Sequence, residues 1–183
     1  MKVMKFAAVV LAASLSAVAL TAAAQVVVGG APMYSSKDII DNAVNSKDHT
    51  TLVAALKAAG LVETLKGKGP FTVFAPVNAA FAALPAGTVD TLLKPENKPA
   101  LTKVLTYHVV AGKMDSAALV KAIDAGNGKA TLTEVSGNTL TATKSGTMIM
   151  LSDESGGMAH VTIPDVVQSN GVIHVVDKVL LPK

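Results

Sequence analysis

Apolar and polar positions alternate with two different periods in the two halves of this chain. In the first half the spacing is helical. Ile39, Ile40, Ala43 and Val44 share one face after a capping-box-like start at Ser35 to Asp38. Leu52, Val53, Leu56 and Ala59 repeat the pattern up to Gly60, a residue suited to a left-handed C-cap, and Leu61, Val62 and Leu65 make a third short turn. The run Phe71, Thr72, Val73 and Phe74 is β-branched and aromatic and predicts a central strand. Pro76 ends it, and Asn78 is placed to cap a short helix carrying Phe81. Helices follow at Thr88 to Leu93 and from about Pro99, where Leu101, Val104, Leu105 and His108 fall at i, i+3, i+4 and i+7. Val109 and Val110 read as extended. Asp115 or Ser116 caps a last helix with Leu119, Val120 and Ile123 on one face.

From Lys129 the period drops to two. Ala130 and Leu132 alternate with threonines, as do Leu140 and Ala142, and Ser136-Gly137-Asn138 and Lys144-Ser145-Gly146 supply the turns of an antiparallel meander. Met148 to Leu151 is apolar at every position and predicts a strand covered on both faces; Ser152 to Gly157 reads as a mobile polar loop. Val161 and Ile163 predict a strand that Pro164-Asp165 breaks. Val172 to Val176 predicts another, with Ile173 and Val175 on one side and Val172, His174 and Val176 on the other.

Lys2, Lys5, an apolar run from Phe6 to Leu20 and Ala22-Ala23-Ala24 have the form of a secretory signal peptide over residues 1–24. The run is shorter than the roughly 20 residues of a spanning helix. Residues 25–34, with glycine, proline and no periodicity, read as a flexible lead-in, and 35–183 as one domain. Secretion or a periplasmic location follows from the leader.

Composition narrows the chemistry. All 16 basic residues are lysine, and two of them sit in the leader, so the formal charge of +3 says little about partners. Without arginine there is no bidentate clamp for phosphate or base edges, and few aromatics are available for stacking, so the expectation is that nucleic acid is not a partner. No cysteine is present, so neither disulfides nor thiol chemistry contribute. All phenylalanines outside the leader, Phe71, Phe74 and Phe81, lie within one stretch, which should supply much of the core.

That stretch, PFTVFAPVNAAF from Pro70 to Phe81, resembles the first characteristic motif of the fasciclin domain family. Asn170 to Pro182, NGVIHVVDKVLLP, resembles the second, and Tyr107-His108 between them resembles the family's tyrosine-histidine pair. The resemblance implies an α+β fold, a wedge of two small, mostly antiparallel sheets packed with several α-helices, in which the terminal strand pairs near Pro70 to Phe74. It marks Phe71, Thr72, Phe74, Asn78, Phe81, Asn170, Gly171 and His174 as structural motif positions. It also implies adhesion through Tyr107 and His108. Ile163-Pro164-Asp165-Val166-Val167 resembles an adhesion segment of some animal members, with Asp165 and Val166 in the contact places.

Each candidate also has a plainer reading. His108 on an apolar helix face suits a hydrogen-bonded core residue held by Asn78 or a backbone carbonyl, with Tyr107 left exposed. Pro164-Asp165 suits an ordinary turn whose aspartate accepts from nearby N–H groups. No GxSxG, HExxH or dinucleotide fingerprint is present, and His49, His108, His160 and His174 lack local metal-ligand spacing. The expectation is a non-catalytic bacterial binding module without metal or cofactor, its partner a protein or a cell-surface or matrix component. The alternatives are an envelope protein acting by weak self-association, and a small-ligand carrier or enzyme with its own pocket.

Overall fold

The computed structural model describes residues 25–183; the expected signal peptide lies outside the described residues. The chain forms β1 (Val27–Val28), β2 (Ala31–Pro32), α1 (Ile39–Ala43), α2 (Thr50–Ala59), α3 (Val62–Lys66), β3 (Phe71–Pro76), α4 (Asn78–Ala82), α5 (Thr88–Leu92), α6 (Lys98–Thr106), β4 (Val109–Ala111), α7 (Ser116–Ala125), β5 (Lys129–Thr133), β6 (Thr139–Ser145), β7 (Met148–Ser152), β8 (Met158–Gln168) and β9 (Gly171–Val176). The α+β class that the resemblance implies is the one observed.

Seven strands join in the order β4-β3-β9-β8-β7-β6-β5. β3 and β9 run parallel in register from Phe71 opposite Gly171 to Pro76 opposite Val176, and the other pairs are antiparallel. The two ends of the domain thus meet at its centre, as the family resemblance implied. The two small sheets of the wedge share β8. Its first residues pair with β7, and from Val161 it pairs with β9 through two register shifts, the irregularities that let a long strand bend from one sheet into the next. At the free edges Val110 bridges Glu134, and the Val135 amide donates to the Val109 carbonyl at 2.9 Å. The sheet therefore curls until it almost closes.

Alternation sorts the core into two halves. Phe74, Leu132, Leu140, Leu151 and Val176 point into the curl, which α7 plugs with the fully buried Leu119 and Ile123. Val73, Ala75, Ile173 and Val175 point to the opposite side, against Leu52, Leu56, Leu101 and Leu105 of α2 and α6. Both faces of β3 and β9 are covered, so these strands read as nearly continuous apolar runs.

Five expectations need correction. Residues 25–34 form a hairpin, not a loose lead-in: Val28 and Met33 are buried, and the Lys47 amide donates to the Gly29 carbonyl at 3.2 Å. Gly29 has a φ of 59°, and a Cβ there would stand 2.4 Å from Ser46 Oγ, so the turn requires glycine. Asn78 caps a different helix from the one it begins, because its Oδ1 accepts from the Thr51 amide at 3.0 Å and from Thr50 Oγ1, both at the start of α2. Pro164-Asp165 does not end its strand; β8 runs through both, with Asp165 at a φ of 58°. Met148 to Leu151 is covered on one face only, and Met148 stands exposed. Ser152 to Gly157 is a turn drawn closed by Asp153, whose Oδ1 accepts from the Ser155 and Gly157 amides and whose Oδ2 accepts from the Leu181 amide.

Candidate functional site

Tyr107 and His108 follow α6 directly and turn to opposite sides of the chain. Tyr107 enters the curl and is 0% exposed. Its hydroxyl donates to the Thr139 carbonyl at 2.9 Å and accepts from the Glu154 amide at 3.2 Å. Burial pushes the phenol up to about 12. His108 lies among the helices, also buried. Its Nδ1–H donates to the Val104 carbonyl at 2.8 Å and its Nε2 accepts from the Leu180 amide at 3.0 Å. Those partners fix one neutral tautomer, and burial lowers its pKa to about 4. The pair pins the end of α6 to the meander on one side and to the C-terminal segment on the other.

The core reading of His108 therefore stands, with the Val104 carbonyl as holder instead of Asn78. The exposed Tyr107 does not. Both faces of this chain position are covered, by the curled sheet and by the C-terminal segment, so neither residue offers contact surface to a partner.

Asp165 is half-buried, and both of its carboxylate oxygens are engaged. Oδ1 accepts from the Ser116 amide at 2.6 Å and Oδ2 from the Ser116 hydroxyl. Asp115 accepts from the Ala118 amide at 2.8 Å, so two carboxylates satisfy the first turn of α7 and sit at the positive end of its dipole. The backbone N–H served by Asp165 lies 49 positions away along the chain, unlike those of an ordinary turn. Val166 points inward and is 1% exposed, whereas Val167 is 40% exposed. The contact role assigned to Val166 by resemblance is thus corrected: alternation across the bulge turns Val166 to the core and Val167 outward.

The remaining motif residues act as internal ties. Thr72 Oγ1 donates to the Gly112 carbonyl at 2.7 Å and accepts from the Met114 amide at 2.8 Å. Asn170 Oδ1 accepts from the Ile39 amide at 3.1 Å, and its Nδ2 donates to the carbonyls of Leu65 and Gly67. One side chain thereby joins the start of α1, the end of α3 and the β8–β9 turn. His174 stacks on Phe74 with ring centroids 5.6 Å apart and donates from Nε2 to the Met114 carbonyl at 2.8 Å. Burial lowers its pKa, as it does for His49, whose Nδ1 meets Ser46 Oγ at 2.9 Å beneath the N-terminal hairpin.

Glu134 is a buried acid that no motif in the sequence singles out. Ser136 Oγ donates to its Oε2 at 3.0 Å, while Oε1 has no partner among the described residues. Burial raises its pKa to about 8. The signal was in the alternation, since residue 134 continues the inward phase of Ala130 and Leu132.

The histidines are held separately, and among the described residues no three of His, Cys, Asp or Glu gather as a ligand set. A cavity between β3, β9 and the helices, lined by Val28, Met33, His49, Leu56, Val73 and Val175, measures about 30 Å³. That is room for about one water molecule, far below the ~300 Å³ at which organic-ligand pockets begin. No helix among the described residues is long and apolar enough to cross a membrane.

Comparison with known proteins agrees with this architecture. The model of a family described as the fasciclin domain matches residues 47–182. Protein sll1483 of Synechocystis is 47% identical over 156 residues, covering 85% of this chain and 79% of that protein. The immunogenic protein MPB70 of Mycobacterium bovis is 38% identical over 145 residues, covering 76% of this chain and 66% of that protein. Among solved structures, a domain pair from the insect cell adhesion molecule fasciclin I superposes with a TM-score of 0.71 at 17% identity, over 79% of this chain and 51% of that one.

Proposed function

Because this chain belongs to the fasciclin domain family, we propose that it is an exported, non-catalytic binding module that makes weak contacts with a protein or another cell-surface or matrix component. One observation carries the reading. The polar side chains that an enzyme would spend on a substrate are spent here on backbone groups of the fold, by Tyr107, His108, Asp165, Asn170 and His174 alike. What remains for a partner is surface. The likeness to a domain of a cell adhesion molecule supports the same reading at the level of fold.

Within that module the contact segment is Pro164 to Val167. Pro164 and Val167 are exposed, and Asp165 holds the bulge that presents them. An exposed aliphatic residue beside a rigid bulge can fill a shallow pocket on a partner. Immobilised protein is tested for capture of cells and purified envelope or matrix fractions, parent against Val167→Lys. Reduced capture with an unchanged melting temperature is the expected result; capture equal to the parent's removes this segment from the contact. A turnover of any substrate by the purified chain would remove the non-catalytic assignment.

A further inference from the structure

The outer face of β7 and β8 carries chemistry that the binding role does not use. Five methionines lie among the described residues, and three of them, Met148, Met150 and Met158, are on this face. Met148 is 50% and Met158 44% exposed. Single exposed apolar residues are ordinary; three methionines and a histidine on one sheet face are not.

The register brings them together. Met150 stands directly opposite His160, and Met158 opposite Ser152, while Leu151 and Ala159 between them are buried inside the curl. Side chains directly opposed across a ladder have Cβ atoms about 5 Å apart, and diagonal neighbours such as Met150 and Met158 about 7–8 Å apart. Met148 lies two residues from Met150 along the strand, about 7 Å away on the same face. Methionine has three rotatable bonds, so its sulfur spans such distances easily.

His160 is already oriented. Its Nδ1 meets Asp177 Oδ2 at 2.8 Å, and its own amide donates to Asp177 Oδ1 at 2.7 Å. Asp177 follows β9 and takes Nδ1, while the residue that carries Nε2 stands directly opposite Met150 across the β7–β8 ladder. A carboxylate on one ring nitrogen that leaves the other as a basic donor is the usual support of a metal-bound histidine.

We propose that Met148, Met150, Met158 and His160 form a surface binding site for a soft monovalent metal ion, Cu(I). The donor set decides the ion. Thioethers are soft, neutral ligands that favour Cu(I), and imidazole suits copper as well. Calcium and magnesium require oxygen donors, and a structural zinc site draws on thiolates or several imidazoles. Asp177, the carboxylate beside His160, is committed to that ring and acts as a positioning residue.

The test uses the full chain under anaerobic, reducing conditions, with Cu(I) partitioned against bathocuproine disulfonate and Ag(I) as a diamagnetic probe of methionine methyl groups labelled with carbon-13. One equivalent of Cu(I) should bind, and Ag(I) should shift the methyl signals of Met148, Met150 and Met158 while leaving Met33 and Met114 in place. The double variant Met150→Leu, Met158→Leu conserves volume on an exposed face, so it should melt as the parent does and bind Cu(I) at least about tenfold more weakly. Asp177→Asn should weaken binding about 10–100-fold. Failure to compete for one equivalent, unchanged affinity in the double variant, shifts confined to other methionines, or Zn(II) binding as tight as Cu(I) would each overturn the site.

Discussion

The Asp165 carboxylate in the bulge of β8 holds the first residue of α7, accepting the Ser116 amide at 2.6 Å. A strand that would otherwise lie beside the helix is tied to its N-terminus, and the left-handed backbone at Asp165 aims the side chain there. Asp165→Ala should therefore cost about 1–2 kcal/mol, the usual worth of a capping side chain, read as a lower urea midpoint. A binding defect in this variant would follow from the loosened bulge and should be regained at lower temperature. Val167→Lys should leave the midpoint unchanged, and that contrast separates contact from support.

His108 makes the fold sensitive to acid. Burial lowers its pKa from an ordinary 6.5 to about 4, so between those values the unfolded chain binds the proton more readily than the folded one. Its contribution is full above pH 6.5 and is lost as pH falls toward 4, up to roughly 3 kcal/mol at the lower end. Burial acts in the same direction on His49 and His174. Urea midpoints measured from pH 7 to pH 4 should fall steeply in the parent and less steeply in His108→Gln. Equal slopes would show that other groups carry the acid response.

Much of this architecture was legible in the residues, and the parts that were not share a cause. Helical and alternating periods located most elements because each period reports one apolar face, as for Leu119 and Ile123 or Leu140 and Ala142. Periodicity holds no information about which distant strand lies alongside; the parallel β3–β9 pair came from the motif resemblance. The same limit applied to Asn78, which serves the start of a helix some 27 positions earlier. It applied again to Tyr107, which looked exposed because only one face of α6 is apolar, while the curled sheet covers the turn beyond that helix. The methionine-histidine cluster was hidden for the same reason, since Met150 and His160 are neighbours only through strand register.

Glu134 should respond to pH in the opposite sense. Burial raises its pKa from 4.5 to about 8, so the folded chain holds a proton that the unfolded chain has released. Stability attributable to this group is highest below pH 4.5 and declines as pH rises through 8. The site lies where Glu134 bridges Val110 to close the sheet, with Tyr107 and Glu154 as its charged or titratable neighbours. Glu134→Gln keeps the shape and removes the charge. It should match the parent at about pH 4, below the unfolded value, and exceed it by at least about 1 kcal/mol at pH 9. Amide exchange at Val135 should slow in the same variant at high pH; a variant that gains nothing there would place the charge in solvent.

Gly171 sets the start of the parallel pair that joins the two ends of the domain. A Cβ at this position would stand 2.1 Å from the Phe71 carbonyl oxygen and 3.0 Å from the Phe71 nitrogen. These are backbone atoms of a central strand, so no rotamer change relieves the clash. The Phe71 amide also donates to the Asn170 carbonyl at 3.0 Å, which keeps the two strands from sliding apart cheaply. Gly171→Ala should force β3 and β9 apart at their first pair and destabilise the domain by about 3 kcal/mol, the upper range for overpacking. Denaturant unfolding is expected to show the loss as a lower midpoint with an unchanged slope. Because Asn170 adjoins the altered residue, amide protection should fall at Ile39, whose N–H bonds to Asn170 Oδ1, before it falls at Thr141 in the distant meander. Uniform loss across both regions would mean that the pair is not a local seam and that the domain opens as one unit.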